Sequence, residues 1–100
     1  MSRYRILSAA EEELAAAALF YEEAAIGVGL AFLDQIQSTI ERLCADPLSG
    51  AAIGAANMWS MLVPTFPFSL IYVVESQVVI IVAVAHHRRM PGYWNSRITE

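Results

Sequence analysis

The stretch from His86 to Arg97, HHRRMPGYWNSR, gathers most of the side chains in the sequence that could do chemistry. A histidine supplies a general base or a metal ligand, and an arginine supplies a fixed cation for a phosphate or for a carboxylate on a protein partner. His86 and His87 leave a strand side by side, so they point to opposite faces and do not readily share one metal; at least one has a structural or solvated role. Arg88 reads as part of a solvated face. Arg89 has two readings, an anion-binding group or an ion pair with a surface glutamate. Tyr93 and Trp94 are large amphipathic aromatics of the kind that anchor interfaces, although Trp94 equally suits packing on the chain's own core to fasten the tail. Elsewhere the chemistry is thin. Glu11, Glu12 and Glu13, and Glu22 and Glu23, read as solvated helix faces and not as a paired-carboxylate site, and Trp59 reads as core or sheet surface. No glycine-rich phosphate loop, nucleophile elbow or zinc-ligand spacing is present, so neither a metal nor a cofactor is expected.

A rigid element must deliver these groups. Val78 to Ala85 is an unbroken, β-branched-rich apolar run, which suits a strand in mid-sheet buried on both faces; Met90-Pro91-Gly92 then turns the chain. Upstream, Tyr4 to Leu7 predicts a short first strand. Ser8 with Glu11 predicts a capping box opening a helix from about Ser8 to Ala25, with Ala10, Leu14, Ala17, Ala18, Tyr21 and Ala25 on its apolar side and Leu19 and Phe20 widening the arc. Gly27 and Gly29 let the chain reverse into a second helix, Leu30 to Ala45, with Leu33, Ile36, Ile40 and Leu43 along one seam. Leu48 to Ala56 predicts a loop, Asn57 to Val63 a strand, and Phe66 to Glu75 another, joined by a tight hairpin at Glu75-Ser76-Gln77 to the last strand. The fold class is therefore α+β: an N-terminal strand, a helical hairpin, then a three-stranded antiparallel meander, with the helices packed on one face of the sheet.

A chain of 100 residues has room for one core, so residues 1–100 are expected to form a single domain. The hydrophobic fraction of 57 % exceeds that of an ordinary soluble domain, which implies apolar surface reserved for a partner. Prolines and Glu75 interrupt the most apolar window, so no membrane span is expected, and the N-terminus lacks a secretory pattern. A lone cysteine, Cys44, excludes an internal disulfide, and the default compartment is the cytoplasm. Net charge is −4, with six arginines and no lysine, which disfavours broad phosphate-backbone binding. No cation lies between Ala45 and His87.

At the level of motifs the chain resembles the RelE/ParE superfamily of bacterial toxins, in its ParE-like, plasmid-stabilisation branch. The resemblance spans almost the whole chain. It rests on Ala9 to Tyr21 with Leu14 and Phe20-Tyr21, on Phe32, on Pro47-Leu48-Ser49-Gly50, on Phe66-Pro67-Phe68 leading to Tyr72, and above all on the ordered string His86, Arg89, Pro91, Tyr93, Trp94, Arg97. It implies the toxin of a type II toxin–antitoxin system, covered as a hetero-oligomer by a ParD-like antitoxin. ParE-like toxins poison DNA gyrase through protein–protein binding, for which His86, Arg89, Tyr93, Trp94 and Arg97 are the target-binding candidates. Leu19 and Phe20 are the antitoxin-binding candidates. RelE-like relatives instead cleave messenger RNA on the ribosome, and in that alternative His86, Arg89 and Tyr93 would be catalytic. The segment Met58 to Pro64 departs from the family pattern: relatives commonly carry basic residues there, and this chain has none. That favours the binding reading, with no sequence-specific nucleic-acid contact, and leaves open a decayed toxin that binds only its antitoxin.

Overall fold

The computed structural model describes residues 3–54 and 57–99. In chain order they form β1 (Arg3–Ile6), α1 (Ser8–Ala24), α2 (Val28–Ala45), β2 (Ala51–Ile53), β3 (Met58–Leu62), β4 (Phe68–Glu75), β5 (Val78–His86) and a C-terminal 3₁₀ helix (Asn95–Thr99). The strands make one sheet in the order β1-β5-β4-β3-β2; β1 runs parallel to β5 and the other pairs are antiparallel. The α+β class and the helical hairpin on one face are as the sequence predicts.

Strand β5 is flanked by β1 and β4, and it is buried on both faces because each face has its own cover. On the helix side, Val79, Ile81 and Val84 join Leu70 and Tyr72 of β4 and Phe32, Ile36, Ile40 and Leu43 of α2. On the opposite side, Val82, Ala83 and Ala85 join Met58, Ile71, Val73 and Trp94. The helix-side positions change from odd to even along β5. A β-bulge is the cause: Ile71 pairs with Ala83 but Tyr72 with Ile81, so Val82 is an extra residue that shifts the alternation. The shift puts His86 beside Phe68, ring centroids 5.0 Å apart, and His87 on the other side.

Several boundaries differ from the sequence expectation: strand ends shift by one or two residues, β4 beginning at Phe68 and not Phe66, and the starts of the helices and the region after Pro47 differ as well. The capping box at Ser8 does not form. Leu7 holds the cap position with extended dihedrals, its N–H bonded to Ile81 and its carbonyl accepting from Glu11 N, so pairing with β5 sets the helix start one residue early and makes Ser8 already helical. Helix α2 begins at Val28; Phe32, fully buried, takes the seam position assigned to Leu33, which is 39 % exposed. Ala25 ends α1 in solvent. The loop expected over Leu48 to Ala56 contains strand β2, paired with β3 from Ala51↔Ser60 to Ile53↔Met58; Ala55 and Ala56 lie outside the described residues. Three residues, two of them alanine, are too few to print a strand period. Their anchor is remote: the buried Tyr72 hydroxyl donates to Pro47 O at 2.9 Å and accepts from Gly50 N at 3.2 Å. A side chain at Gly50 would meet that hydroxyl and the Ser60 carbonyl, so glycine is required by close approach.

Between the helices, Gly29 lies against the Ala18 carbonyl, where a Cβ would sit only 2.6 Å away. Glu22 is exposed, as expected, and also caps α2: its carboxylate accepts from Gly27 N and Gly29 N at 3.0 Å each. That supplies the oxygen that the cap residue, Gly27, lacks, and it places negative charge at the positive end of α2. Tyr21, Phe32, Phe66 and Phe68 stack edge-on around one another, Phe32 lying 5.1 Å from both Phe66 and Phe68, and so tie the hairpin to the β3–β4 connection. Among the described residues, no helix is long and apolar enough to cross a membrane.

Candidate binding site at the end of strand β5

Strand β1 is short, and its last paired residue, Ile6, stands opposite Ile81. Beyond that point the open side of β5 carries backbone groups without a strand partner. Buried polar groups of this kind need other partners. Val84 N–H donates to Glu13 Oε1 at 3.0 Å, and the carbonyl of the bulge residue Val82 accepts from Arg97 Nη1 at 3.0 Å. A carboxylate from α1 and a guanidinium from the tail thus finish the sheet edge as side chains.

The same two groups bind each other. Arg97 donates to Glu13 Oε1 through Nη1 at 2.9 Å and to Oε2 through Nη2 at 3.1 Å, a bidentate pair. Tyr93 donates its hydroxyl to Glu13 Oε2 at 2.7 Å, and Arg89 donates to the same oxygen at 3.2 Å. The Tyr93 ring lies beneath the Arg89 guanidinium at 3.7 Å and 5.1 Å from that of Arg97. The side chains of Glu13 and Arg97 are 15 % and 19 % exposed, that of Arg89 53 %. Two guanidiniums against one carboxylate leave the cluster with a residual positive charge, and the exposed Arg89 carries it to the surface.

Electrostatics follow from this geometry. Burial pushes the Glu13 carboxyl up, but hydrogen bonds from Arg97, Tyr93 and Val84 N–H together outweigh it and hold the group below the ordinary carboxylate range. Burial, and then the hydrogen bond to Glu13, push the Tyr93 phenol up to about 12. Arg97, hydrogen-bonded to Glu13, is more firmly protonated than usual. At neutral pH, Tyr93 is therefore a locked donor and a poor acid, and Glu13 is an anion.

The turn that carries this cluster is held by backbone bonds, one local and one to the β3–β4 connection. Arg89 N bonds His86 O at 3.0 Å, His87 N bonds Pro67 O at 2.9 Å, and Gly92 takes φ 86° where the chain reverses. The histidines diverge as expected. His86 accepts from Arg88 N through Nδ1, while His87 Nε2 lies 3.0 Å from Ser69 Oγ on the opposite face. Among the described residues no group of three or more metal-ligand types converges. Trp94 is 8 % exposed and its indole N–H points to Met58 Sδ at 3.0 Å, so of its two readings the structure shows the one that fastens the tail. The tail and the sheet face opposite the helices enclose an open cleft of about 850 Å³, lined by Met58, Leu62, Ile71 and Ile98 with polar groups from His87 and Arg89.

Glu13 is the residue the sequence reading placed wrongly, as part of a solvated face. A signal existed: Glu13 falls three residues after Ala10 and four before Ala17, inside the buried stripe of α1, where a charge needs a partner.

The comparisons with known proteins meet at this fold. Residues 4–91 match the family described as ParE toxin of type II toxin-antitoxin system, parDE. The chain belongs to the ParE toxin family. The match takes in Glu13, His86 and Arg89 and stops before Tyr93, Trp94 and Arg97, which lie beyond the residues aligned. No curated protein sequence matches the chain. Among solved structures, a chain from the chromosomal ParDE TA system from P. aeruginosa is similar, with a TM-score of 0.75 over 86 % of this chain and 96 % of that one at 17 % identity. At that identity the likeness is one of fold.

Proposed function

We propose that this chain is a toxin that acts by binding DNA gyrase, in the cytoplasm, and is held inactive by a ParD-like antitoxin. The observation that carries the reading is the saturation of the cationic cluster: Arg97 and Tyr93 are both spent on Glu13. RNA cleavage needs a free base, a proton donor and cations around one scissile phosphate. Here the phenol keeps its proton to about 12 and the more buried guanidinium is neutralised, while β3 contributes no cation. What is left outward is Arg89, stacked on the Tyr93 ring and three residues after the half-buried His86, a small set suited to an acidic patch on a protein. Arg97 and Trp94 hold that set in place.

The antitoxin surface proposed is the tip of the helical hairpin. Leu19 and Phe20 are 60 % and 66 % exposed, Ile26 97 % and Leu30 64 %, which is the apolar excess that composition alone anticipates. An amphipathic helix or extended segment laid on this tip would cover them.

The test is induction of the chain without antitoxin, followed by pulse-labelling of DNA and protein synthesis. Early loss of DNA synthesis with intact messages, weakened in the Arg89→Ala variant, is expected. Early loss of protein synthesis with cleaved messages would overturn the gyrase reading in favour of a ribonuclease. No effect on either would identify a decayed toxin.

A further inference from the structure

We infer that Glu13 is a specificity-determining residue: its carboxylate fills, as an internal ligand, an oxyanion seat built by Arg97, Tyr93, Arg89 and the Val84 N–H, and so denies that seat to an external phosphate. The geometry is that of a bound anion. One oxygen accepts from Val84 N and Arg97 Nη1, the other from Tyr93 Oη, Arg97 Nη2 and Arg89 Nη1, all between 2.7 and 3.2 Å. Five donors on two oxygens, one pair of them a guanidinium fork, are the complement that recognises a phosphate as readily as a carboxylate. The rest of the molecule would not supply such a seat: net charge is −4 and no cation lies between Ala45 and His87. With Glu13 in place, of the cluster's two guanidiniums it is Arg89, 53 % exposed, that stays open to an anion, which suits a single acidic side chain and not a tracked nucleic-acid backbone.

The inference deepens the reading of this cluster as a protein-facing surface, but its test needs neither gyrase nor toxicity. Glu13→Gln keeps the side chain's size and one carbonyl acceptor while removing the charge. The purified wild type and variant are titrated with a short labelled single-stranded RNA at low and at physiological salt. The expected result is a gain of about tenfold in affinity for Glu13→Gln, the scale of one or two charge-assisted hydrogen bonds. It should weaken with salt and vanish in Glu13→Gln/Arg97→Gln. A folded Glu13→Gln protein that binds RNA no better than the wild type overturns the proposal, as does a wild type that already binds as tightly. Where Glu13→Gln alone does not fold, the double variant decides: recovery of the fold shows that the role of Glu13 is to occupy the seat of Arg97, and continued unfolding shows a mere helix-to-sheet anchor and overturns the proposal. If the chain proves not to act on gyrase, these outcomes still stand; if the RNA results fail, the gyrase test is untouched.

Discussion

Placing a carboxylate at position 13 makes one side chain answer for a sheet edge, two arginines and a phenol, and this coupling shows in the pH dependence of stability. The Tyr93 phenol is held at about 12 in the folded protein, above the unfolded value near 10. A group whose folded pKa is raised contributes its full stability below the unfolded pKa and loses it as pH climbs through the folded one. Tyr93→Phe is therefore expected to be less stable than the wild type at pH 8 and to lose less on going to pH 11.5, as urea midpoints at the two values would show. Tyr21 and Tyr72, also raised by burial, keep some alkaline slope in both proteins. On the acid side the sign reverses: Glu13, depressed on folding, stabilises fully above the ordinary carboxylate range and less as pH falls through its lowered value. A second residue-scale expectation concerns Tyr72, which is fully buried. Tyr72→Phe strands Gly50 N–H and the Pro47 carbonyl and should cost about 1–3 kcal/mol in urea unfolding. An unchanged midpoint would mean that β2 is not held through this hydroxyl.

At the scale of elements, the β4–β5 hairpin shows local chemistry accepted for the sake of long-range pairing. Glu75 pairs with Val78, so Ser76 and Gln77 form a two-residue turn, and both have positive φ, 49° and 66°. Such a turn prefers Asn-Gly. Replacing Ser76-Gln77 by Asn-Gly should stabilise the chain by about 1 kcal/mol, read as a higher urea midpoint with unchanged slope. A drop would show that these side chains make contacts the backbone argument omits. The hairpin itself was legible in the sequence, because two apolar runs flank a polar triplet. So were β5 and the helices, whose periods are long enough to repeat. What was not legible depended on partners distant in sequence. Strand β2 exists because a tyrosine twenty-two residues on reaches Gly50. The start of α1 is set by Leu7 pairing with Ile81 and not by the serine that follows. The bulge at Val82 leaves no mark in a run of valines and isoleucines, yet it decides which histidine faces the helices. Of the candidate site, the tail residues were visible by type, whereas their common partner was hidden among three consecutive glutamates.

For the whole molecule, the two ends of α1 divide the work. Its first half, through Glu13, fixes the tail; its second half, with the connection and the start of α2, presents Leu19, Phe20, Ile26 and Leu30 to solvent. A chain this apolar without its partner should hide that tip by self-association, since exposed patches beyond a few hundred Å² are unusual on monomers. Leu19 and Phe20 belong to neither core cluster, Phe20 meeting the core only through the Tyr21 ring at 5.4 Å, so Leu19→Ser/Phe20→Ser is expected to lower the melting temperature only slightly. Sedimentation should show the wild type associating as concentration rises and the double variant remaining monomeric, with apolar-dye binding reduced in parallel. The same variant should lose affinity for a ParD-like antitoxin by at least about tenfold, the effect of removing two buried anchors, whereas Arg89→Ala should not. That contrast is the decisive one. If Arg89→Ala weakens antitoxin binding and Leu19→Ser/Phe20→Ser does not, the two surfaces have been assigned the wrong way round, and the tip's exposed side chains need another partner.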